Sequence, residues 1–306
     1  MSQPSGFTDN DVPNQTGKCF VVTGANTGLG FEISRVLAAH GARVLMACRD
    51  RAKADAAMAR LKQQVPAANL TFLRYDQADL DSIRAAADQV AREPRVDVLI
   101  NNAGVMNPPL TRTRQGFELQ FGVNHLGCFA FTSLLLPKLA ENAGARVVIT
   151  SSLVHKTGKI DWSDLNADNG YERRPRYDQS KLANILFLFE LDRRLRAVGS
   201  SITAVGCHPG FATTELGRHI RFIGVLKPLF GLIANTPAMG AWPALQAATG
   251  IVQAGGYYGP QGRGEIRGPS GEAARAPQAV DPDLARRLWD VSIAMTGVDP
   301  GLLPAS

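Results

Sequence analysis

The chain has 306 residues, 45% of them apolar and 20% charged, with a formal net charge of +6. That balance describes a globular protein with an ordinary core, at a length that one α/β domain can fill. The basic residues are dispersed, as in "RDRAKADAAMARLKQQ", where they alternate with alanines along a predicted helix; this is a solvated face and excludes a nucleic-acid surface.

Residues 1–15 are polar and predict a tail ahead of one domain over 16–306. They lack the apolar core of a signal peptide, and no stretch of the chain reaches the ~18 to 20 apolar residues of a membrane span. A soluble cytoplasmic protein is the expectation. Cys19, Cys48, Cys128 and Cys207 each lie in or at the end of an apolar segment without a C-x-x-C pair, as buried thiols in a reducing compartment do.

"KCFVVTG" predicts the first strand and "GFEISRVLAAHG" the first helix. Between them Gly24, Gly28 and Gly30 form G-x-x-x-G-x-G. Such glycines permit a tight turn and bring the backbone close to a pyrophosphate at the positive end of the helix. Asn26, Thr27 and Leu29 complete this candidate cofactor loop. The second strand, "ARVLMAC", ends at Cys48 and is followed by Arg49. The acidic ribose ligand expected at that place is missing, and an arginine can pair with a 2′-phosphate that a carboxylate would repel. NADP(H) is therefore favoured, with NAD(H) the alternative. Arg51 or Lys53 could share the role of Arg49.

The alternation continues through helix "RAKADAAMARLKQQV", strand "LTFLRYD", helix "DLDSIRAAADQVARE" and strand "VDVLINNAG". A long apolar helix over "QGFELQFGVNHLGCFAFTSLLLPKLAEN", strand "ARVVITSS", a helix from Tyr177 to about Ala197 and strand "SITAVGCHPG" follow. The pattern predicts a parallel sheet covered by helices on both faces. Two stretches break the rhythm, an insert over 153–176 and an apolar segment over about 214–237. Tyr177 and Lys181 stand four apart, which puts them on one helix face.

"TGANTGLG", Asp76, "NNAG", Asn124 in "VNHLG", "TSS" at 150–152, Y-x-x-x-K at 177–181 and "HPG" at 208–210 occur in this order. Together they resemble the short-chain dehydrogenase/reductase superfamily over about residues 15 to 260. "ACRD", "IDWSDLN", "SKLANILF" and "HPGFATTEL" are similar to its retinol-dehydrogenase and WW-domain-oxidoreductase-like branch, and "GGYYGPQGRGEIRG" resembles bacterial members. "TGANTG" carries no basic residue before Gly28, unlike some NADP-preferring relatives. The resemblance implies a single-domain Rossmann fold with a doubly wound, seven-stranded parallel sheet, and a homo-oligomer, dimer or tetramer. It implies that Asp76 holds the adenine amine, with Gln77, Asn102, Ala103 and Gly104 in the same cofactor site. Pro209, Gly210 and Thr214 would flank the nicotinamide. Ser152 would hold the substrate carbonyl, and Asn124 a water in the proton path. The segment over 214–237 would cover the substrate.

Hydride transfer to a carbonyl leaves an alkoxide that needs a proton. Tyr177 can supply it if its pKa falls from the usual ~10. An ammonium about 5 Å away, such as that of Lys181, favours the phenolate by roughly 3 kcal/mol at an effective dielectric of ~20, or about 2 pKa units. Lys181 would also hold the nicotinamide ribose. Ser152 could instead be a strand-end cap, with Ser151 the carbonyl holder. His125, His155 and His208 share no metal-ligand spacing and read as structural, with His155 the exception most able to face substrate. No metal site is expected, and the G-x-S-x-G of serine hydrolases is absent. Leu216, Ile220, Phe222, Ile223, Leu226, Leu229, Phe230 and Ile233 give 216–235 an apolar face. It suggests a lid over a lipophilic alcohol or carbonyl substrate; contact with a membrane surface, given Arg218, Arg221 and Lys227, is the lesser alternative. Trp162 and Tyr171 in the insert are expected at the rim of the site. Sugar-nucleotide epimerases usually carry T-G-x-x-G-x-x-G and a larger C-terminal domain, and non-catalytic cofactor sensors tend to lose the tyrosine or lysine. Neither description fits this chain.

Overall fold

Strands covered on both faces need apolar side chains on both, and successive residues serve opposite cores. The computed structural model, which describes residues 6–211 and 235–304, is built on this rule. Phe20 and Val22 of β1 (Cys19–Thr23) enter one core, and Val21 enters the other. The first core lies under α1 (Gly28–Ala39), α2 (Arg51–Gln64) and α6 (Pro237–Thr249). The second lies under α3 (Leu80–Ala91), α4 (Leu119–Ala140), α5 (Arg173–Ala197) and α7 (Pro282–Thr296).

The sheet has eight strands in the order β3-β2-β1-β4-β5-β6-β7-β8. The remaining strands are β2 (Arg43–Cys48), β3 (Asn69–Arg74), β4 (Val98–Asn101), β5 (Arg146–Thr150), β6 (Thr203–Cys207), β7 (Tyr257–Pro260) and β8 (Ser270–Glu272). β1 to β7 run parallel, and β8 is antiparallel to β7. The expected seven parallel strands are thus present, and an eighth is added. β8 reads "SGE" and has no apolar run of its own. It is a strand because Tyr258 to Pro260 pair with it on one side and Phe7 bridges Ser270 on the other.

That bridge also corrects the expected tail. Phe7 N–H donates to Ser270 O at 2.8 Å, and Ser270 N–H returns a bond at 2.9 Å. Trp242 Nε1 donates to Asp9 Oδ1 at 2.9 Å, and Val12 and Gln15 are buried. From Phe7 onward the segment belongs to the domain.

Two features position the functional edge. The chain leaves β1 toward β2 and β3, then crosses to β4 on the other side of β1. That reversal opens a crevice at the carboxyl ends of β1 and β4. The long apolar helix is also not uniform, because its turn Gly122–Gly127 is π-helical and carries Asn124. Such turns widen a helix locally and recur at functional sites. By length and composition α4 could cross a membrane, but its most apolar stretch is 89% buried inside the fold.

A chain starting at Thr16 should lose the cover of Trp242 and the outer pairing of β8. Burial of Val12 and part of Phe7 predicts a loss of at least about 2 kcal/mol, read from the urea midpoint; unchanged stability would mean that the segment does not pack as described.

Candidate active site

The crevice holds a cavity of about 570 Å³. The glycine loop forms one wall through Gly24, Asn26, Thr27, Gly28 and Leu29. Gly24 has φ +67° and Gly28 φ +56°, the left-handed region that glycine enters without strain. Thr27 precedes the first turn of α1 but makes no side-chain bond to it, and that turn carries no acidic residue. Its amide hydrogens and the positive end of the helix are therefore open to an anion. Gly30 does not line the cavity. A Cβ there would lie 2.3 Å from Gly24 O and 2.7 Å from Asn102 Nδ2, so its role is the close seating of α1 on the loop.

The opposite wall is the backbone after β4. Thr23 Oγ1 accepts hydrogen bonds from the amides of Asn102 (3.0 Å) and Ala103 (2.9 Å), and Asn102 Nδ2 donates to Thr23 O at 2.9 Å. Gln77 Nε2 donates to Val123 O at 2.6 Å and to Ala103 O at 3.3 Å. Asp76 lines the same cavity with Asn102, Ala103 and Gly104. One Asp76 oxygen accepts from Ala78 N at 3.0 Å, which fixes the carboxylate at the turn.

The far end of the cavity is basic. Arg49 and Lys53 line it, and among the described residues Arg49 has no ion pair. Arg51 does not line it. It pairs with Asp55 at 2.8 Å and stacks over Phe72. Arg60 also reaches the cavity, over the Phe31 ring at 4.4 Å. Sequence reasoning missed it, although Lys53 and Arg60 lie two turns apart on one face of a helix already assigned. Asp50 stands here too, but its Oδ1 caps α2 by accepting from Lys53 N at 3.1 Å. An open glycine loop, an uncapped helix start and a basic far wall fit a dinucleotide.

Gly104 leads from this cavity to Asn124 and Lys181. A Cβ on it would stand 3.0 Å from Asn124 Oδ1 and 3.6 Å from Lys181 Nζ. Lys181 Nζ is 5.8 Å from the centre of the Tyr177 ring, and both residues are buried. The Ser152 side chain stands near enough to the Tyr177 phenol to act on its ionisation. Ser151 Oγ donates instead to Lys181 O at 2.7 Å. Ser152 is also the cap of the turn Leu153–Lys156, through a long 3.5 Å bond from Val154 N.

Burial dominates the ionisation of the pair. It raises the Tyr177 phenol to about 12, with the Ser152 hydrogen bond acting in the opposite sense. It lowers Lys181 to about 8. The shift expected from the lysine charge alone runs the other way, because desolvation of two enclosed groups outweighs their attraction. At neutral pH Lys181 keeps its proton and Tyr177 rests as the neutral phenol.

Asn124 spends its side chain on structure. Its Oδ1 accepts from Val105 N at 2.7 Å, and its Nδ2 donates to Val105 O and Ser180 Oγ, both at 2.9 Å. It therefore clamps the cofactor-side backbone to α5. Pro209 and Gly210 lie at the end of β6, on the same edge of the sheet as Ser152, but do not line the cavity. Gly210 has φ +69°, and a Cβ on it would meet Ile266 O at 2.2 Å. Thr214 and nearly all of the expected lid lie outside the described residues.

The insert is docked by Arg176, one residue before Tyr177. Its guanidinium binds Asp164 Oδ2 at 3.0 Å and Gly170 O at 3.3 Å. The Tyr171 hydroxyl donates to Pro108 O at 2.9 Å, and Trp162 packs under Arg287 of α7 at 4.1 Å. Among the described residues no group of His, Cys, Asp and Glu could hold a metal. His125 is buried, sits 2.8 Å from Ser292 Oγ and is held by burial at a pKa of about 3. His208 is buried 3.5 Å from Glu265. His155 is buried between Ser152 O and Ala276 N and does not line the cavity.

The family model described as short chain dehydrogenase matches residues 18–221. This chain belongs to the short-chain dehydrogenase family. The dehydrogenase is 42% identical over 302 residues to retinol dehydrogenase 14 of Mus musculus, covering 92% of this chain and 86% of the relative. It is 42% identical over 293 residues to retinol dehydrogenase 13 of Homo sapiens, again covering 92% and 86%. A crystal structure of an uncharacterized protein from Mycobacterium paratuberculosis superposes with a TM-score of 0.82 at 38% identity, covering 97% of this chain and 100% of that one. The Pseudomonas aeruginosa RhlG/NADP active-site complex, at 24% identity and a TM-score of 0.63, covers 79% of this chain and 94% of its own and shares the fold. The dehydrogenase is thus an oxidoreductase of the alcohol dehydrogenase type with a nicotinamide cofactor.

Replacing Asn124 by Leu leaves the half-buried Val105 amide and carbonyl and the buried Ser180 hydroxyl without this partner. At ~1–3 kcal/mol for each unpaired group, the variant should lose about 2–4 kcal/mol in chemical denaturation. A loss within the error of the measurement would mean that the clamp is not formed.

Proposed function

We propose that this dehydrogenase interconverts a lipophilic primary or secondary alcohol and its aldehyde or ketone, with NADP(H) preferred to NAD(H). The observation that carries the reading is the buried Tyr177 phenol one helical turn from the buried Lys181, whose Nζ lies 5.8 Å from the ring centre. The names of the mouse and human relatives support a retinoid-like, apolar alcohol. Preference for NADP(H) is supported by Arg49, Lys53 and Arg60 around the cavity and by the engagement of Asp50 as a helix cap. A bound nicotinamide supplies or accepts the hydride.

The chain's own groups do the rest. The Ser152 hydroxyl donates to the substrate oxygen and holds it beside the phenol. Tyr177, kept protonated by burial, gives its proton to the alkoxide in reduction and takes one back in oxidation. Lys181 stabilises the phenolate left behind, an attraction of a few kcal/mol at this separation and an effective dielectric of ~20. The buried setting keeps bulk water from competing for the same proton.

Tyr177→Phe keeps the ring and removes the proton. Turnover of any accepted substrate should fall by about 10²–10⁴-fold, with NADPH binding nearly unchanged by fluorescence titration. Wild-type turnover in this variant would refute the acid–base role. Arg49→Ala should raise the Kd for NADPH roughly 10- to 100-fold, as loss of a charge-assisted bond does, and leave NADH almost untouched. Equal weakening of both cofactors would count against 2′-phosphate recognition. A panel of lipophilic alcohols and ketones with both cofactors, followed by nicotinamide absorbance, identifies the substrate class.

A further inference from the structure

The turn that carries Ser152 is held from behind by one imidazole. His155 is fully buried. Its Nδ1 lies 2.7 Å from Ser152 O, and its Nε2 accepts from Ala276 N at 3.3 Å. An amide can only donate, so Nε2 must present its lone pair. Nδ1 then carries the proton that Ser152 O accepts. The two contacts together admit one neutral tautomer.

Its surroundings keep it neutral. Burial is the main cause that holds the His155 pKa near 4; the Ser152 carbonyl and Glu265 act upward, and His208 and Lys156 downward. The ring also meets Tyr257 edge-on at 5.4 Å between centres, and His208 lies tilted against the same phenol at 5.3 Å. The same Ser152 carbonyl accepts the His155 amide at 3.1 Å. Two bonds from one residue therefore fix the peptide plane after Ser152. That plane sets the direction of the Ser152 Cα–Cβ bond, with Ser152 itself extended at φ −157° and ψ 160°.

We propose that His155 is the positioning residue for Ser152. Its Nδ1–H bond to the Ser152 carbonyl aims the hydroxyl at Tyr177 and at the substrate oxygen. Its Nε2 anchors that turn to Ala276, beyond β8 and far along the chain. The inference rests on the carbonyl-holding role of Ser152 and adds the group that sets its direction. His155 touches neither substrate nor cofactor.

Two substitutions separate the two nitrogens. In His155→Asn the side-chain amide reaches about as far as Nδ1 and can still donate to Ser152 O. In His155→Gln it reaches about as far as Nε2 and keeps only the Ala276 contact. If the bond to Ser152 positions the hydroxyl, kcat should stay within about threefold of wild type in the Asn variant and fall roughly 10- to 100-fold in the Gln variant, the loss expected from slight misplacement of a reacting group. KM for the cofactor should be unchanged in both, and thermal midpoints should be similar. Equal kcat values at matched thermal midpoints would overturn the proposal. Imidazole nitrogen NMR of the wild-type protein gives a readout that needs no variant to fold. It should report the Nδ1–H tautomer, uncharged, between about pH 5 and 8; an Nε2–H tautomer, or protonation near the ordinary histidine pKa, would also overturn it. Ser152→Ala tells the two ideas apart: full activity there would sink the role of Ser152 itself, whereas low activity with no difference between the Asn and Gln variants would sink only that of His155.

Discussion

The backbone from Asn102 to Val105 leaves a buried strand and must run along an open cleft without neighbours in the sheet. Its amides and carbonyls need partners, because a buried polar group left unpaired costs about 1–3 kcal/mol. Thr23 supplies partners from β1, Gln77 from the turn after β3, and Asn124 from the π-helical turn of α4. This short strip separates the nucleotide cavity from Lys181, and everything functional is placed relative to it. A regular α-helix at Gly122–Gly127 would turn Asn124 elsewhere, which gives the π-turn a direct structural purpose.

The chemistry depends on the same enclosure. Burial brings the Lys181 pKa down to about 8 and the Tyr177 pKa up to about 12, disfavouring the charged form of each. The low-dielectric surroundings strengthen every interaction the phenolate would make with Lys181. Ser152 and its supporting turn add direction. That turn is tied to two distant regions, through His155 to Ala276 and through the Lys156–Glu265 ion pair at 2.8 Å. Glu265 has a pKa lowered to about 2, mainly by its contact with His208. Because the folded-state value is depressed, its contribution is in force above the ordinary carboxylate pKa and fades as pH falls toward 2.

Much of this architecture was legible in the chain. Alternating apolar runs and helical periods announced a parallel sheet, and Gly24 and Gly28 announced the turn that needs left-handed backbone. Tyr177, Lys181 and Ser152 were readable from order and spacing. Other positions took their local contacts only from the fold. Gly30 looked like a ligand-side glycine but serves helix seating, a distinction that depends on where Gly24 O and Asn102 lie. Arg51 looked equivalent to Arg49 until Asp55 and Phe72 claimed it. β8 and the segment from Phe7 have no local signal, since each is held by a partner more than 200 residues away in one case and by a neighbouring strand in the other.

Residue order and periodicity alone determine the fold class, the glycine loop and the placement of Tyr177 and Lys181 on one helix face, because each depends on local geometry: a turn that only glycine enters, a strand with two apolar faces, a helix with one turn between two side chains. Three things required the folded chain. They are which serine is tied to Lys181 O, which arginine lines the cavity without an ion pair among the described residues, and which direction burial moves the two pKa values. Each is a competition among partners brought from remote parts of the sequence, and spacing along the chain carries no record of which partner wins.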